Sequence, residues 1–127
     1  MTSATVYVVS GDAAVRDSLA ELFGSAGLRA EYFDSIEHWR DAIRPEQPSC
    51  VVLDARVRGV TGLGHPEGLA SLCAKHPVLM LVDRGDVPIA VRAIREGAAD
   101  VLEMPYRDLN LLERVMRAAR RSDLHQR

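Results

Sequence analysis

The sequence predicts an α/β fold: a doubly wound, five-stranded parallel sheet built as (βα)5, with helices on both faces. Three observations lead to this prediction. The chain has 127 residues, the size of one domain. Hydrophobic residues make up 47% and charged residues 27%, which is typical of soluble globular domains and not of disordered chains. Short apolar runs alternate with segments of helical period, and such alternation favours parallel strands joined by right-handed crossovers.

The first strand and the first helix come near the start of the chain. Thr5–Val9 (TVYVV) is an apolar run without polar interruption, as expected of a strand buried on both faces of a sheet. Asp12 is the predicted N-cap of a helix that Gly24 and Gly27 end. The apolar positions of this helix, spaced i, i+4, i+7 and i+8, are Val15, Leu19, Leu22 and Phe23.

The next two strands flank a short helix. Arg29–Phe33 is a more polar run, and we expect this strand near an edge of the sheet. Ser35 caps the second helix. The predicted inward residues of that helix are Ile36, Trp39 and Ile43. Cys50–Leu53 is the third strand, and Asp54 stands directly at its end.

The second half of the chain repeats the alternation. A short helix around Glu67–Ala74 precedes a fourth strand at Val78–Val82, and Asp100–Glu103 is the fifth strand. The helix after Asp86 carries one apolar stripe, formed by Val87, Ala90, Val91, Ile94 and Ala98. Asp108 opens the last helix. Its predicted inward residues are Leu109, Leu112, Met116 and Ala119.

The charge and hydropathy of the chain argue against several classes of partner. Sixteen basic and eighteen acidic residues give a net charge of −2, so no global field draws this domain to nucleic acid or to an anionic membrane. The longest apolar stretch, residues 77–82, is far shorter than a membrane span, and the N-terminus lacks the pattern of a signal peptide. Cys50 and Cys73 lie in apolar runs without metal-ligand spacing. We therefore expect a cytoplasmic protein with reduced thiols.

The predicted strand order, 2-1-3-4-5, places the chemistry of such a sheet at one end. In this order the connections change direction between the first and third strands, and ligands bind beyond the carboxyl ends of the strands at that point. The candidate site residues are those that follow the first, third, fourth and fifth strands: Ser10, Gly11, Asp12, Asp54, Val82, Asp83, Met104 and Pro105.

Motifs at these strand ends resemble those of the receiver domain of two-component response regulators, most closely the FixJ-like receivers. Residues 85–100 (GDVPIAVRAIREGAAD) look like the fourth-helix signature of that subgroup. Val52–Arg56 (VLDAR), followed by Thr61 and Gly62, matches the phosphoacceptor strand and its loop. Pro105 stands where the family has a Lys-Pro pair, often with a cis peptide bond.

The resemblance covers nearly the whole chain. It implies one receiver domain of the flavodoxin-like fold over residues 4–121, followed at 122–127 by a tail or the start of a linker. FixJ-like relatives continue into a helix-turn-helix domain, so a DNA-binding domain is possible in a longer chain. In relatives, the face formed by the fourth helix, fifth strand and fifth helix forms dimers or binds partners, and we expect the same here.

The resemblance also implies a chemistry, phosphoryl transfer to an aspartate. Family members bind Mg²⁺ with an acidic pair after the first strand. A lysine after the fifth strand contacts the phosphoryl group. A Ser or Thr at the end of the fourth strand moves toward that group and signals its presence. Asp54 is the residue that matches the acceptor. Such catalysis is mainly positioning and cationic stabilisation of the transition state.

Nearly all the other family positions depart from this pattern. Ser10 and Gly11 replace the acidic pair, Met104 replaces the lysine, and Val82 replaces the Ser or Thr. The lysine cannot have shifted in the alignment, because the only lysine of the chain is Lys75, which precedes the fourth strand at the opposite pole of the sheet.

These departures predict that Asp54 is not phosphorylated by the usual metal-assisted route. Mg²⁺ prefers several oxygen ligands, and Asp12 and Asp54 are only weak candidates for them, so we expect no metal and no cofactor. The leading interpretation is an atypical receiver that works as a phosphorylation-independent interaction or dimerisation module in bacterial signalling or transcription control. The alternative is a phosphorelay receiver in which Asp12, Asp83 and an arginine substitute.

Several other residues are candidate substitutes for the missing groups or possible signs of a different function. Arg84 and Arg56 are candidate cations near Asp54, but Arg56 matches a common family residue and we interpret it as a surface loop side chain. Val101 stands where the family has its switching aromatic residue. The glycine-rich loop 62–68 does not follow the first strand, so a flexible loop is favoured over a dinucleotide site. The sequence offers no nucleophile–base pair, and we expect no enzyme.

Overall fold

The computed structural model describes residues 4–43, 47–57 and 68–126. The strands in these ranges are β1 (Thr5–Val9), β2 (Ala30–Phe33), β3 (Ser49–Asp54), β4 (Val78–Asp83) and β5 (Asp100–Met104). The helices are α1 (Ala13–Ser25), α2 (Ile36–Ala42), α3 (Gly68–Lys75), α4 (Val87–Arg95) and α5 (Asp108–Gln126). All neighbouring strands are parallel and lie in the order β2-β1-β3-β4-β5, which confirms the predicted fold class.

Side chains of the central strands alternate between two apolar layers, one on each face of the sheet. Val6 and Val8 of β1 pack with α1 and α5 in one layer, whereas Tyr7 and Val9 pack with α2, α3 and α4 in the other. All of β1 and β3 is buried, because helices cover both faces. β2 is less buried and lies at an edge, as its polarity predicts.

Short polar side chains begin three of the helices. Asp12 accepts a hydrogen bond from the backbone N–H of Ala14 at 2.9 Å, and Ser35 accepts one from that of His38 at 3.1 Å, so both predicted N-caps are confirmed. Asp86 caps α4 in the same way. The helix α1 ends at Ser25, one residue beyond Gly24, which is therefore not its terminator.

The packing face of α5 agrees with the prediction at Ala119, which is buried, and at Leu112, which packs on the same apolar layer, but not at Leu109. Leu109 is 80% exposed, so its assignment to the inward face is wrong. The residues of α5 that are buried against the sheet are Leu111, Val115, Ala118, Ala119 and Ser122. The helix runs to Gln126, beyond the predicted domain boundary at 121, which stays a prediction. Apolar residues occur on two overlapping stripes of this helix, and the contact with β3 selects between them.

The apolar stripe of α4 is divided between the core and the surface. Ala90 and Ala98 pack on the apolar layer that α4 covers. Val87, Val91 and Ile94, by contrast, are exposed by 63%, 44% and 56%. Three large apolar side chains therefore lie on the outer side of a helix at the edge of the domain.

Some predictions fall on residues 58–67, which lie outside the described residues. They concern the motif residues Thr61 and Gly62, and all of the glycine-rich loop except Gly68, the first residue of α3. Within the described ranges, the helices are too short or too polar to cross a membrane.

Candidate functional site

The carboxyl ends of the strands bring the predicted site residues to one edge of the sheet. Val9 lies beside Leu53 in the sheet register, and Asp54 lies beside Leu81. Ser10 directly follows β1, and Asp54 is the last residue of β3. Each of the two residues is only 1% exposed. The buried sheet thus fixes a carboxylate and a hydroxyl next to each other at the point where the strand order changes direction.

Five hydrogen bonds hold the Asp54 carboxylate. The Ser10 hydroxyl donates to Oδ2 at 2.8 Å, and the backbone N–H of Arg56 donates to Oδ1 at 2.9 Å. The Arg56 side chain adds three more: Nε donates to Oδ1 at 3.0 Å and to Oδ2 at 3.3 Å, and Nη2 donates to Oδ2 at 2.8 Å. This is a bidentate guanidinium–carboxylate pair, which is the strong and directional form of this interaction.

The structure corrects the interpretation of Arg56 as a surface loop side chain. Although the side chain is half-exposed, its guanidinium is turned onto Asp54, and Nη2 also lies 3.5 Å from Oδ2 of Asp12. The cause is local: the turn after β3 already brings the backbone of Arg56 onto the carboxylate, so the side chain can fold back over it. No described contact joins Arg84 to Asp54.

These contacts decide the charge state of Asp54. Burial alone raises the pKa of the carboxyl, but hydrogen bonds from Arg56 and Ser10, together with the positive charge of Arg56, outweigh burial and lower the pKa below its usual value. Asp54 in turn raises the pKa of Arg56, with smaller contributions from Asp83 and Asp12. At neutral pH the site holds a carboxylate that is already matched by a cation.

Ser10 and Gly11, where the resemblance implies an acidic pair, bring no carboxylate to the site. The Ser10 oxygen accepts the backbone N–H of Asp12 at 3.1 Å while its hydroxyl donates to Asp54, and Gly11 presents only backbone. Asp12 uses one carboxylate oxygen as the N-cap of α1. Its other oxygen, Oδ2, lies 3.5 Å from Nη2 of Arg56.

These residues do not fit a magnesium ion. Among the described residues, no group of three or more His, Cys, Asp or Glu side chains could hold a metal. Mg²⁺ demands near-octahedral oxygen ligation, and both oxygens of Asp54 are engaged by donors. The guanidinium of Arg56 lies between Asp12 and Asp54, the two weak candidates for ligands.

The remaining predicted positions lie around this centre without completing it. Val82 is fully buried and carries no hydroxyl, and Asp83 is exposed at the end of β4. Met104 packs its side chain on the apolar layer under α1 and α5, and its peptide bond to Pro105 is cis, as the resemblance implies. Val101 packs in the opposite layer.

Sequence reasoning missed one cation at the rim. Nη1 of Arg16 donates to the backbone carbonyl of Ser10 at 2.7 Å. Arg16 comes one helical turn after the N-cap Asp12, so it shares the face of α1 that begins at the site. That i, i+4 spacing from Asp12 is the signal that could have identified it.

Comparison with known proteins adds a family to this geometry. Residues 6–116 match the family model described as the response regulator receiver domain. Nodulation protein W of Bradyrhizobium diazoefficiens is 40% identical over 120 residues, which are 94% of this chain and 53% of that protein. The transcriptional regulatory protein FixJ of the same organism is 36% identical over 122 residues, 96% of this chain and 60% of that protein.

Solved structures of response regulators have the same fold as this chain. The response regulator StyR superposes with a TM-score of 0.82 at 34% identity, over 96% of this chain and 62% of that chain. The structure titled FixJ-N superposes with a TM-score of 0.78 at 29% identity and covers 94% of this chain and 96% of that one. The chain spans a little over half the length of the two curated relatives named above.

Proposed function

The chain belongs to the response regulator receiver family, and from this premise we propose that it is a receiver that acts through protein–protein contacts without phosphorylation of Asp54. The described residues retain the five parallel strands and five helices of the family fold, in the order β2-β1-β3-β4-β5. The groups that let an aspartate accept phosphate are replaced by Ser10, Gly11, Val82 and Met104.

The hydrogen bond from Ser10 to Asp54 is the observation that carries this proposal. Where the family supplies a metal-binding acid, this chain supplies a hydroxyl that donates to the acceptor at 2.8 Å. A group of this kind stabilises the free carboxylate, which is the ground state, and contributes no charge to bind a metal. Loss of one preorganised stabiliser costs about 10²–10³ in rate, and here the metal ligands and the lysine are missing together.

The route by which phosphorylation would reach a partner is also interrupted. Val82 has no hydroxyl to follow a phosphoryl group, and Val101 replaces the switching aromatic residue. A ligand shifts an equilibrium only if it interacts differently with the two states. Neither residue offers a polar group that would make such a difference.

The proposed contact face is formed by α4, β5 and α5. This face carries four large apolar side chains that are exposed: Val87, Val91 and Ile94 of α4, and Leu109 of α5. The three residues of α4 share one helical stripe, and exposed apolar patches mark interaction sites more often than plain surface does. Arg114 of α5 binds Asp100 of β5 at 2.8 Å, which fixes α5 relative to the sheet. We propose that a second copy of the chain, or another regulator, binds there.

The role in transcription control rests on the relatives. The names of several of them, FixJ and TdiR among them, describe transcriptional regulatory proteins, and each is longer than this chain. We propose that this receiver likewise serves a regulator in bacterial signalling, with a DNA-binding output domain as its partner.

One observation favours the alternative, a phosphorelay receiver with an unusual pocket. Arg56 places a guanidinium 2.8 Å from the acceptor oxygen, and arginine is a good partner for phosphate. In this alternative Arg56 takes the part of the missing lysine, with Asp12 and Asp83 binding the metal.

Incubation with acetyl phosphate and Mg²⁺, followed by intact mass spectrometry, separates the two functions. We expect no gain of a phosphoryl group. A stoichiometric gain that Asp54→Asn abolishes would establish the alternative. Because acetyl phosphate also acetylates amines, an acetyl adduct on Lys75 must be counted separately.

A restored variant serves as the positive control. It combines Ser10→Asp, Gly11→Asp and Met104→Lys, and a Cβ at Gly11 meets nothing closer than the Asp34 carbonyl oxygen at 3.9 Å, so the backbone at this position has room for a Cβ. We expect this variant to gain one phosphoryl group under the conditions in which the natural chain gains none.

A further inference from the structure

A second polar concavity lies at the opposite pole of the sheet from Asp54. It is a cavity of about 180 Å³ formed by the end of α3, the start of β4, the turn between α4 and β5, and the last turns of α5. The polar side chains that line it are Lys75, His76, Arg121 and Ser122. None of them takes part in the site around Asp54.

The cavity carries positive charge. Lys75 and Arg121 line it, and no aspartate or glutamate is among its described lining residues. Among the ion pairs that join described residues, none involves Lys75 or Arg121. Glu96 acts on the thiol of Cys73, which lines the cavity, but it is paired with Arg92 at 3.6 Å. The carbonyl end of α3 opposes an anion here, so binding depends on the two side-chain cations.

The floor of the cavity is a buried hydrogen-bonded network. The Ser49 hydroxyl lies 2.9 Å from Nδ1 of His76, and the Ser49 backbone N–H donates to the Ser122 hydroxyl at 2.8 Å. His76 and Ser122 are 9% and 5% exposed. Because the Ser122 oxygen acts as an acceptor, its own hydrogen remains for a ligand. When Ser49 donates to Nδ1, the neutral ring carries its proton on Nε2, which is then a second donor.

The size and the donors of the cavity select a chemical class. At about 180 Å³ it is smaller than the roughly 300–1,000 Å³ of sites for drug-sized ligands, which leaves room for a few heavy atoms. A guanidinium binds oxyanions with a planar fork, and an ammonium adds a point charge. Two cations with two neutral donors match a compact dianion that has three free oxygens.

We propose that this cavity binds a phosphoryl group, carried either by inorganic phosphate or by a small phosphate monoester. Lys75 and Arg121 supply the charge, and Ser122 and His76 supply neutral hydrogen bonds. A bound phosphoryl group joins the end of α3 to the end of α5. The site is independent of Asp54 and of the function proposed above.

The single lysine allows a local test on the full chain. Reductive methylation of Lys75 is followed by peptide mass spectrometry, with the N-terminal amine on a separate peptide as the internal reference. We expect phosphate to slow methylation of Lys75 about ten-fold once its concentration is about ten times Kd, with saturation. Sodium chloride at matched ionic strength, if it slowed Lys75 equally, would overturn the proposal.

Further ligands and variants identify the class and the residues. Glycerol 3-phosphate tests the monoester source, and protection by either phosphate source supports the proposal. Succinate, with the same charge but no phosphoryl group, must protect far less, and equal protection would overturn the phosphoryl assignment. Arg121→Gln should raise the phosphate Kd by at least about ten-fold. Its matched control is Arg120→Gln, on the exposed neighbour that does not line the cavity.

A thermal measurement covers the case in which Arg121→Gln does not fold. Phosphate should raise the Tm of the natural chain and of Arg120→Gln, and it should leave the Tm of Lys75→Gln unchanged relative to chloride. An equal rise in Lys75→Gln would place phosphate elsewhere and overturn the proposal.

Discussion

At the scale of single residues, the candidate site is defined by the groups that surround Asp54. The carboxylate receives hydrogen bonds from Ser10 and from both the backbone and side chain of Arg56. Each of these contacts stabilises the ionised, unmodified aspartate. The site therefore contributes to the stability of the fold in a way that depends on pH.

The sign of this pH dependence follows from the direction of the Asp54 pKa shift. Its pKa is lower in the folded chain than the roughly 3.9 of an unfolded aspartate, so its contribution to the free energy of unfolding is complete above that value. The contribution is lost as the pH falls through the folded pKa. We expect the natural chain to lose more stability below about pH 4 than Asp54→Asn does.

Urea unfolding at a series of pH values, followed by circular dichroism, measures the difference. Asp17→Asn is a suitable control, because Asp17 is exposed and should follow the natural chain. Parallel curves for the natural chain and Asp54→Asn would show that the pair with Arg56 does not stabilise the folded state.

At the scale of elements, the sequence does not determine which residues of α4 and α5, the two helices of the proposed contact face, pack on the core. A helical stripe predicts that one face is apolar, but it does not say whether a core or a partner covers that face. In α4 the small residue Ala93 is buried, while Val91 and Ile94 face outward. In α5 the buried residue of the first turn is Leu111, whereas Leu109, which is predicted to face inward, is exposed.

A pair of leucine substitutions tests the orientation of α5. Leu111→Ala should cost about 2–5 kcal/mol, because Leu111 is fully buried in the layer that α5 shares with β3. Leu109→Ala should change the free energy of unfolding by no more than about 0.5 kcal/mol. Chemical denaturation of the two variants measures both values, and equal costs would contradict the observed orientation.

The outer stripe of α4 can be tested for its role in association. Val91→Glu places a charge on the proposed contact face without disturbing the core, and charges that lose their hydration at an interface are costly. We expect the Kd for self-association, or for binding of another regulator, to rise at least about ten-fold with an unchanged Tm. Analytical ultracentrifugation gives the Kd.

The matched control for this substitution lies on another surface. Ala14→Glu adds the same charge to the exposed side of α1, away from the proposed face. If Ala14→Glu weakens association as strongly as Val91→Glu, or if neither has an effect, α4 is not the contact element.

At the scale of the whole molecule, the topology and the place of the site could be predicted, whereas side-chain directions could not. Uninterrupted apolar strands and regular alternation determine a parallel sheet, and the sheet order then brings Ser10 and Asp54 together. The pairing of Arg56 with Asp54 depends on a turn and on side-chain rotamers, which residue type and spacing leave undetermined. The buried contact between Ser49 and His76 joins distant residues for which the sequence gives no pattern.

The central claim, that the receiver fold is retained while its phosphate chemistry is lost, is tested most directly by amide NMR. The natural chain is titrated with Mg²⁺ and then with beryllofluoride, which mimics the phosphoryl group. We predict that the resonances of Asp54, Ala55, Arg56 and Val82 keep their positions, while those of the restored variant move. A saturable, Asp54-dependent shift of these resonances in the natural chain would contradict the claim.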